Sequence, residues 1–233
     1  MNIQCFHSSS AGNLYSISDG KTRIMLECGV VFKEIQRCFD FKLSELAGCV
    51  ITHEHGDHSK SWDKVSKYTP VYMLEETAKA LGAKGYNIKH YTPNKALNLG
   101  TFTILPIAAQ HDVPCCYFDI YSTETQERVL FVTDTATVSK IAFNTHYAMI
   151  ECNYILETLN EAVDKGVLNS AARNRVLSSH MGLHTTESIL RGLNPNTLKE
   201  VHILHISNRH GDAETIKKNI MRLTGKPVYI AEE

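Results

Sequence analysis

The segment ITHEHGDH, which starts at residue 51, holds three histidines and one aspartate within six positions. Imidazole and carboxylate groups are ligands that suit zinc, manganese or iron. In an extended chain His53 and His55 would lie on one face, and Asp57 would continue that alternation. His58 would face the other side, with Gly56 as the residue at which the backbone bends. The segment therefore predicts two ligands for one metal and two for a neighbouring metal, rather than a polar loop with accidental histidines.

Four ligands do not complete two metal sites, so other parts of the chain must supply more. Binding residues concentrate on the loops that a rigid scaffold positions. His111 follows the apolar run TILPIAAQ, Asp134 ends VLFVTD, and His205 lies in VHILHIS. His180 and His184, both in LSSHMGLHTT, are further candidates, of which His184 has the weaker pattern. We expect the ends of strands to bring several of these side chains together.

An alternation of strands and helices must position these residues. Short apolar runs between turn residues predict strands over 13–18, 22–28, 48–53, 70–74, 101–109, 116–123, 128–134, 147–154, 201–207 and 227–232. Helices are predicted over 59–68, 75–85, 155–176, 185–193 and 212–224. Ser59 and Ser61 are expected to cap the first helix, and Gly82 or Gly85 to end the second. This order favours a four-layer αββα sandwich or another α/β arrangement.

Composition limits the class of protein. The 233 residues are enough for one domain, which we predict over residues 1–233. A formal net charge of −1 gives no general attraction to nucleic acid, although a local basic patch stays open. Neither a signal peptide nor an apolar run of membrane-spanning length is present, so we predict no membrane partner. Seven cysteines, with Cys115 and Cys116 adjacent, favour reduced thiols in a cytoplasmic protein.

The motif THEHGDH resembles the HxHxDH signature of the metallo-β-lactamase superfamily. The order of the later residues is similar as well, with His111, then Asp134 after an apolar strand, then His205. The segment LEC, followed by Gly29, resembles the early DxG strand end of that superfamily, with Glu27 where aspartate is usual. The resemblance implies an α/β fold of the four-layer αββα metallo-β-lactamase-like type.

A finer resemblance, to the small single-domain YycJ/WalJ-like branch, spans nearly the whole chain. It is carried by SSSAGN (8–13), TDTA (133–136), IECNY (150–154), HMGLHT (180–185), HISNRH (205–210) and PVYIAE (227–232). Tyr154 stands where that branch often has histidine, and His210 stands near a position where it often has asparagine.

The resemblance implies a set of seven metal ligands around two divalent ions, which would be zinc, manganese or iron. The first ion would be bound by His53, His55 and His111, the second by Asp57, His58 and His205, and Asp134 would bridge both. Such a site leaves room for a water molecule between the ions, whose pKa the ions would lower enough to make hydroxide at neutral pH.

Hydrolysis of phosphodiester bonds is the predicted reaction, with Asp57 and His180 as catalytic residues. His180 would bind a phosphate oxygen or protonate the leaving oxygen, unless it is an ordinary loop histidine. Ser207 and Asn208 are predicted to bind substrate phosphate. Nucleic acid is the predicted substrate. The alternatives are a small-molecule or cyclic-nucleotide phosphodiesterase, a carboxylic ester or thioester hydrolase, and an idle metal-binding module. Oligomeric state and the roles of His184 and His210 stay open.

Overall fold

The computed structural model describes residues 1–231, which divide into two compact units. Unit 1 contains residues 1–108 and 113–127, and unit 2 contains residues 109–112 and 128–231. Among residues 1–231, no helix combines the length and the hydropathy needed to cross a membrane. The single domain predicted over residues 1–233 stays a prediction.

Unit 1 contains a six-stranded sheet in which sequence order and spatial order are the same. Its strands are β1 (Asn2–Ser9), β2 (Gly12–Ser18), β3 (Arg23–Leu26), β4 (Cys49–Val50), β5 (Val71–Met73) and β6 (Ile88–His90). The first three are antiparallel, and β3 to β6 run parallel. Because parallel strands end at the same edge of a sheet, the chain leaves β3 and β4 on the same side. The histidine-rich segment begins directly after β4.

Three further strands of unit 1 form an antiparallel meander, and four short helices accompany the sheet. The strands are β7 (Leu97–Leu99), β8 (Phe102–Ala108) and β9 (Cys116–Ser122). The helices are α1 (Phe32–Cys38), α2 (Gly56–Ser59), α3 (Trp62–Val65) and α4 (Glu75–Leu81), with a 3₁₀ turn at Leu43–Glu45. Ile35 of α1 and Val65 of α3 are buried in one apolar cluster with Met25 and Ile51. This cluster holds the ends of β3 and β4 in place.

Unit 2 is built on four parallel strands with helices between them. The strands are β10 (Arg128–Val132), β11 (Tyr147–Glu151), β12 (Glu200–Leu204) and β13 (Val228–Ile230). The helices are α5 (Leu156–Asp164), α6 (Ser170–Ser179), α7 (Leu183–Arg191) and α8 (Ala213–Thr224). All of β11 is buried, as is typical of a strand covered on both faces. Asp134, Glu151 and His205 lie at or just beyond the carboxyl ends of three neighbouring strands.

Several predicted elements have different bounds in the structure. The helix predicted over 59–68 is replaced by the short α2 and α3. Ser59 does not cap a helix, because its hydroxyl donates to the carbonyls of residues 54 and 55. Ser61 occupies the N-cap position of α3, but its hydroxyl donates to the Val30 carbonyl and makes no capping hydrogen bond. Gly82 does end α4, in the left-handed conformation. Residue 232 of the last predicted strand lies outside the described residues, and β13 itself ends at Ile230.

The helix predicted over 155–176 is two helices, α5 and α6. Gly166 adopts a φ of 69°, and the N–H groups of Val167 and Leu168 both donate to the Ala162 carbonyl, which ends α5. Asn169 then caps α6, because its side-chain oxygen accepts from the Ala172 N–H. The glycine and the asparagine are the local signals of this break. Strands β1, β6 and β7 were not predicted.

Candidate metal-binding clusters

The histidine-rich segment of unit 1 bends into a helix rather than continuing as a strand. His55 is extended, and its carbonyl accepts hydrogen bonds from the N–H groups of His58 and Ser59, which starts α2. The predicted alternation through Asp57 is therefore wrong, because Asp57 lies in the first turn of that helix. Gly56 is not in the left-handed region, and a Cβ atom there would meet nothing within 4 Å. The bend thus does not require a glycine.

Three imidazole rings of this segment come together. The ring centroids of His53 and His55 are 4.6 Å apart, and those of His53 and His58 are 4.2 Å apart. His53 and His58 are fully buried. His53 Nδ1 lies 2.9 Å from the Thr52 hydroxyl and 3.6 Å from Cys115 Sγ, so Nε2 is the atom that this ring would offer to a metal. Asp57 Oδ2 lies 3.4 Å from His58 Nε2.

Glu27 and Asn13 support the ring of His58 from two sides. The fully buried Glu27 places Oε1 3.5 Å from His58 Nδ1, and both of its carboxylate oxygens accept from the Thr52 N–H at 3.3 Å. Burial raises the pKa of Glu27, and the neighbouring His58 and Thr52 oppose that rise. Asn13 Nδ2 lies 3.2 Å from His58 Nε2 and donates to the Asp57 backbone carbonyl at 3.1 Å. The LEC and SSSAGN segments were the only sequence signals for these two residues.

A close backbone approach fixes the position of this loop. A Cβ atom added to Gly29 would lie 1.6 Å from the Asp57 carbonyl oxygen and 2.7 Å from the His58 amide nitrogen. The neighbouring Cys28 N–H donates to the His58 carbonyl at 2.8 Å. Only glycine fits at position 29, because any side chain would push the two backbones apart. The segment that follows β3 therefore fixes the position of the segment that carries Asp57 and His58.

In unit 2 a carboxylate lies between two histidines. Oδ2 of the buried Asp134 is 3.8 Å from His111 Nε2, and its Oδ1 is 3.6 Å from His205 Nε2. Burial lowers the pKa of His111, while Asp134 and then Asp112 act in the opposite direction. A lowered pKa favours the neutral imidazole, which is the form that binds a metal. Two predicted ligands, His111 and His205, thus lie near different oxygens of Asp134, the carboxylate that is predicted to bridge the metals.

Glu151 belongs to the same cluster, although the sequence analysis assigned it no role. Ligand atoms of Asp134, Glu151, His180 and His205 all lie within 4.8 Å of one another. Glu151 Oε1 is 2.5 Å from His180 Nδ1 and 3.9 Å from His205 Nδ1. Its Oε2 accepts from the N–H groups of Thr135 and Met181 at 3.3 Å. The signal available in the sequence was the IECNY segment, whose glutamate ends a buried strand.

Asn153 and a left-handed backbone conformation orient His205. Asn153 Nδ2 donates to the His205 carbonyl at 2.9 Å and lies 3.1 Å from His205 Nδ1. His205 has a φ of 51°, Asp134 a φ of 47° and Glu27 a φ of 61°. Non-glycine residues seldom adopt this conformation, and they persist in it where the surrounding structure holds them. His205 and Asp134 are predicted metal ligands, and Glu27 contacts the predicted ligand His58.

The remaining predicted site residues have distinct surroundings. The His180 ring stacks on His205 with centroids 5.4 Å apart, so it lies within the unit 2 cluster. The Ser207 hydroxyl accepts from the N–H groups of residues 209 and 210, both at 3.3 Å, and stabilises a turn. Asn208 is exposed on that turn. His184 is exposed on α7 and belongs to neither cluster, whereas His210 is buried.

The chemistry of both clusters fits a divalent metal, because their donors are imidazole nitrogens and carboxylate oxygens. None of the seven cysteines is among the predicted ligands, and all seven are free thiols. Reduced thiols were the expectation from the sequence. Buried carboxylates beside the ligating rings are the usual arrangement that orients metal-binding histidines.

No family model matches the chain. The chain is 26% identical over 226 residues to the exodeoxyribonuclease WalJ of Streptococcus pneumoniae serotype 2, covering 89% of the chain and 82% of that relative. It is 21% identical to the exodeoxyribonuclease YycJ of Bacillus anthracis, covering 93% and 86%. The metallo-β-lactamase fold protein YhfI of Bacillus subtilis superposes with a TM-score of 0.75 at 17% identity, covering 99% and 96%.

Over most of its length the chain is similar to the WalJ and YycJ proteins. The structural similarity confirms the α/β metallo-β-lactamase-like sandwich that the sequence predicted. In this chain Glu27 stands where the resemblance to the metallo-β-lactamase superfamily places an aspartate, and its carboxylate contacts His58. The substitution therefore keeps a carboxylate next to a predicted ligand.

Proposed function

We propose that this protein is a metal-dependent hydrolase of phosphodiester bonds and that its substrate is nucleic acid. The observation that carries the proposal is the position of Asp134, whose two carboxylate oxygens lie toward two different histidines, His111 and His205. A carboxylate placed in this way suits a bridge between two cations. The similarity to relatives named exodeoxyribonucleases supports nucleic acid as the substrate class.

The proposed metal centre uses the ligands predicted from the sequence and takes two divalent ions. The first ion would be held by His53, His55 and His111, the second by Asp57, His58 and His205, with Asp134 shared. The order of the motifs along the chain supports assigning both sets of residues to one centre. When bound, the ions would lower the pKa of a water molecule and neutralise charge on the phosphate.

Side chains of the protein would protonate the leaving oxygen. His180 carries the proton that this oxygen needs, and the Glu151 carboxylate, 2.5 Å from Nδ1, stabilises the protonated ring and holds it in place. Asp57 orients His58, a ligand of the proposed centre, through its contact with that ring. Asn208 contributes a phosphate contact from its exposed turn, and the Ser207 hydroxyl stabilises that turn.

A panel of substrates offered to metal-reconstituted protein tests the proposal. We expect hydrolysis of single-stranded DNA, RNA or bis-p-nitrophenyl phosphate, and we expect His58→Ala and Asp134→Ala to abolish it. Metal analysis of the same samples should give two ions per chain for the unmodified protein and fewer for both variants. Hydrolysis of carboxylic esters or thioesters without any phosphodiester hydrolysis would overturn the proposal, and so would the absence of bound metal.

A second candidate function is hydrolysis of small or cyclic nucleotides, which the net charge of −1 favours because it provides no general attraction to a polyanion. The dependence of binding on salt separates the two candidates. Several phosphate contacts give a steep decline of affinity with salt concentration, whereas one phosphate gives a shallow decline. We expect the steep dependence with single-stranded DNA.

A further inference from the structure

Unit 2 has a pocket of about 450 Å³ between the turn that joins α5 to α6 and the loop that follows β12. We call it the α5–α6 pocket. Ala162, Val167 and Leu168 provide its apolar wall, and Lys165, Arg209 and His210 provide polar groups. Pockets of this volume, mostly apolar with a few polar groups, are typical of small-molecule sites. No role in the proposed metal centre uses any of these six residues.

His210 is the first sign that the pocket takes a ligand. The residue is only 6% exposed, and within residues 1–231 Nδ1 of its ring has no hydrogen-bond partner. Burial lowers the pKa of His210, and the neighbouring Arg209 lowers it further, so the ring is neutral near pH 7. A neutral imidazole can donate or accept one hydrogen bond at each nitrogen. Buried polar groups normally have a partner, so this ring suits a polar group of a ligand.

The charges around the pocket favour an anionic ligand. Lys165 Nζ lies 2.9 Å from Glu161 Oε2, and this ion pair compensates both charges. Arg209 is exposed, and its guanidinium forms no ion pair within residues 1–231. A guanidinium binds phosphate with two parallel hydrogen bonds. The pocket therefore offers one uncompensated cation next to an apolar wall.

Hydrogen bonds connect the pocket to the His205 region of the metal-binding cluster. Asn153, whose side chain holds His205, accepts at its backbone carbonyl from the Ser207 N–H at 2.9 Å. The Ile155 N–H donates to the His210 carbonyl at 2.9 Å. The segment 153–155 thus holds both ends of the loop that carries His205 and His210. A ligand bound against His210 is positioned relative to His205.

We propose that the α5–α6 pocket binds one nucleotide of the substrate, with the base against the apolar wall and a hydrogen bond to His210, and with a phosphate on Arg209. The aliphatic wall can cover one face of a base while the guanidinium of Arg209 binds its phosphate. This proposal rests on the proposed function, because it assigns a subsite to the substrate of that reaction. The pocket would then hold the strand beside the bond that is cleaved.

Two model substrates separate a nucleotide subsite from a general effect on catalysis. Bis-p-nitrophenyl phosphate contains no nucleoside and no second phosphate, whereas 5′-phosphothymidine 3′-(p-nitrophenyl phosphate) contains both. Arg209→Ala and His210→Gln should lower kcat/KM for the thymidine ester by about tenfold, mainly through KM, and change that for bis-p-nitrophenyl phosphate by less than about twofold. Arg222→Ala, at an exposed arginine of α8 outside the pocket, is the matched control and should change neither. Equal losses with both substrates would overturn the proposal.

Binding to the metal-loaded protein provides a readout that does not depend on turnover. Calorimetry should show that Arg209→Ala and His210→Gln each weaken thymidine 5′-monophosphate by about tenfold, and that His210→Gln, which loses only the contact with the base, leaves inorganic phosphate unchanged. If the protein binds the nucleotide through Arg209 but hydrolyses no phosphodiester, the proposed function fails and the subsite stands. If it hydrolyses phosphodiesters but binds the nucleotide equally well in both pocket variants, the subsite fails and the proposed function stands. Thermal unfolding checks that each variant is folded.

Discussion

Glu151 Oε1 lies 2.5 Å from His180 Nδ1, and the carboxylate is fully buried. Backbone N–H groups on the other oxygen hold the carboxylate in one orientation. A carboxylate on one nitrogen of a histidine fixes the tautomer and leaves the other nitrogen for chemistry. This pair therefore supports the proposal that His180 moves a proton in the reaction.

Glu151→Gln should reduce kcat by about 10–100-fold, because an amide keeps the shape of the side chain but does not stabilise a protonated His180. Metal analysis should show nearly unchanged metal content if the effect is on proton transfer. Glu157→Gln, at an exposed glutamate in the first turn of α5, is the matched control and should have wild-type kcat. A Glu151→Gln protein with wild-type kcat would contradict the role assigned to the pair.

Glu27→Ala should reduce both metal content and stability. The substitution removes a buried carboxylate that contacts His58 and accepts from the Thr52 N–H, so it leaves a cavity and an unpaired donor. We expect a loss of about 2–4 kcal/mol in the free energy of unfolding. Urea unfolding and metal analysis measure the two effects. Glu75→Ala, at the exposed start of α4, should change neither, and equal results for both variants would refute the role of Glu27.

Gly29→Ala should disrupt the loop of Asp57 and His58, because its Cβ would lie 1.6 Å from the Asp57 carbonyl oxygen. We expect loss of metal binding and a decrease of about 2 kcal/mol or more in the free energy of unfolding. Gly56→Ala is the contrasting variant, since its Cβ meets nothing within 4 Å. It should be neutral or more stable by up to about 1 kcal/mol. Chemical unfolding of both variants tests whether the close approach or the bend requires glycine.

Asp19 should make part of the free energy of unfolding depend on pH in the acidic range. Burial would raise the pKa of Asp19, but hydrogen bonds from Thr101, Thr22, Ser122 and Lys21 lower it to about 2, below the ordinary value of 3.8. Because the folded-state pKa is the lower one, this contribution is complete above about pH 4 and is lost as the pH falls toward 2. Asp19→Asn should therefore cost roughly 1–2 kcal/mol at pH 7 and almost nothing at pH 2. Urea unfolding at both pH values measures the difference, and a cost that does not change with pH would contradict this explanation.

The sequence was most informative where a function depends on residue type and short spacing. The HEHGDH run specifies imidazoles and carboxylates within one loop, and the later His111, Asp134 and His205 follow apolar runs that do end near them. Gly82 was recognisable as a helix end because only a residue that tolerates positive φ suits that position. These features follow from local chemistry, so they can be predicted without a structure.

Predictions failed where distant residues compete with local preference. The helix predicted over 59–68 is interrupted because the Ser61 hydroxyl donates to the Val30 carbonyl and the Ser61 N–H donates to the Cys28 carbonyl. Asp57 leaves the expected extended alternation because the His55 carbonyl starts a helix. In both cases a hydrogen bond that the periodicity of the sequence does not contain decides the backbone conformation.

The sequence by itself determined which residue types are available as metal ligands and their order along the chain, an order that resembles the metallo-β-lactamase superfamily. Only the tertiary structure decided which buried groups support those ligands. Glu27 contacts His58 across 31 positions, and Glu151 contacts His180 across 29 positions. The physical reason is that the folding of the strands against one another determines which groups form hydrogen bonds with a buried ring. The spacing of residues along the chain does not contain this information.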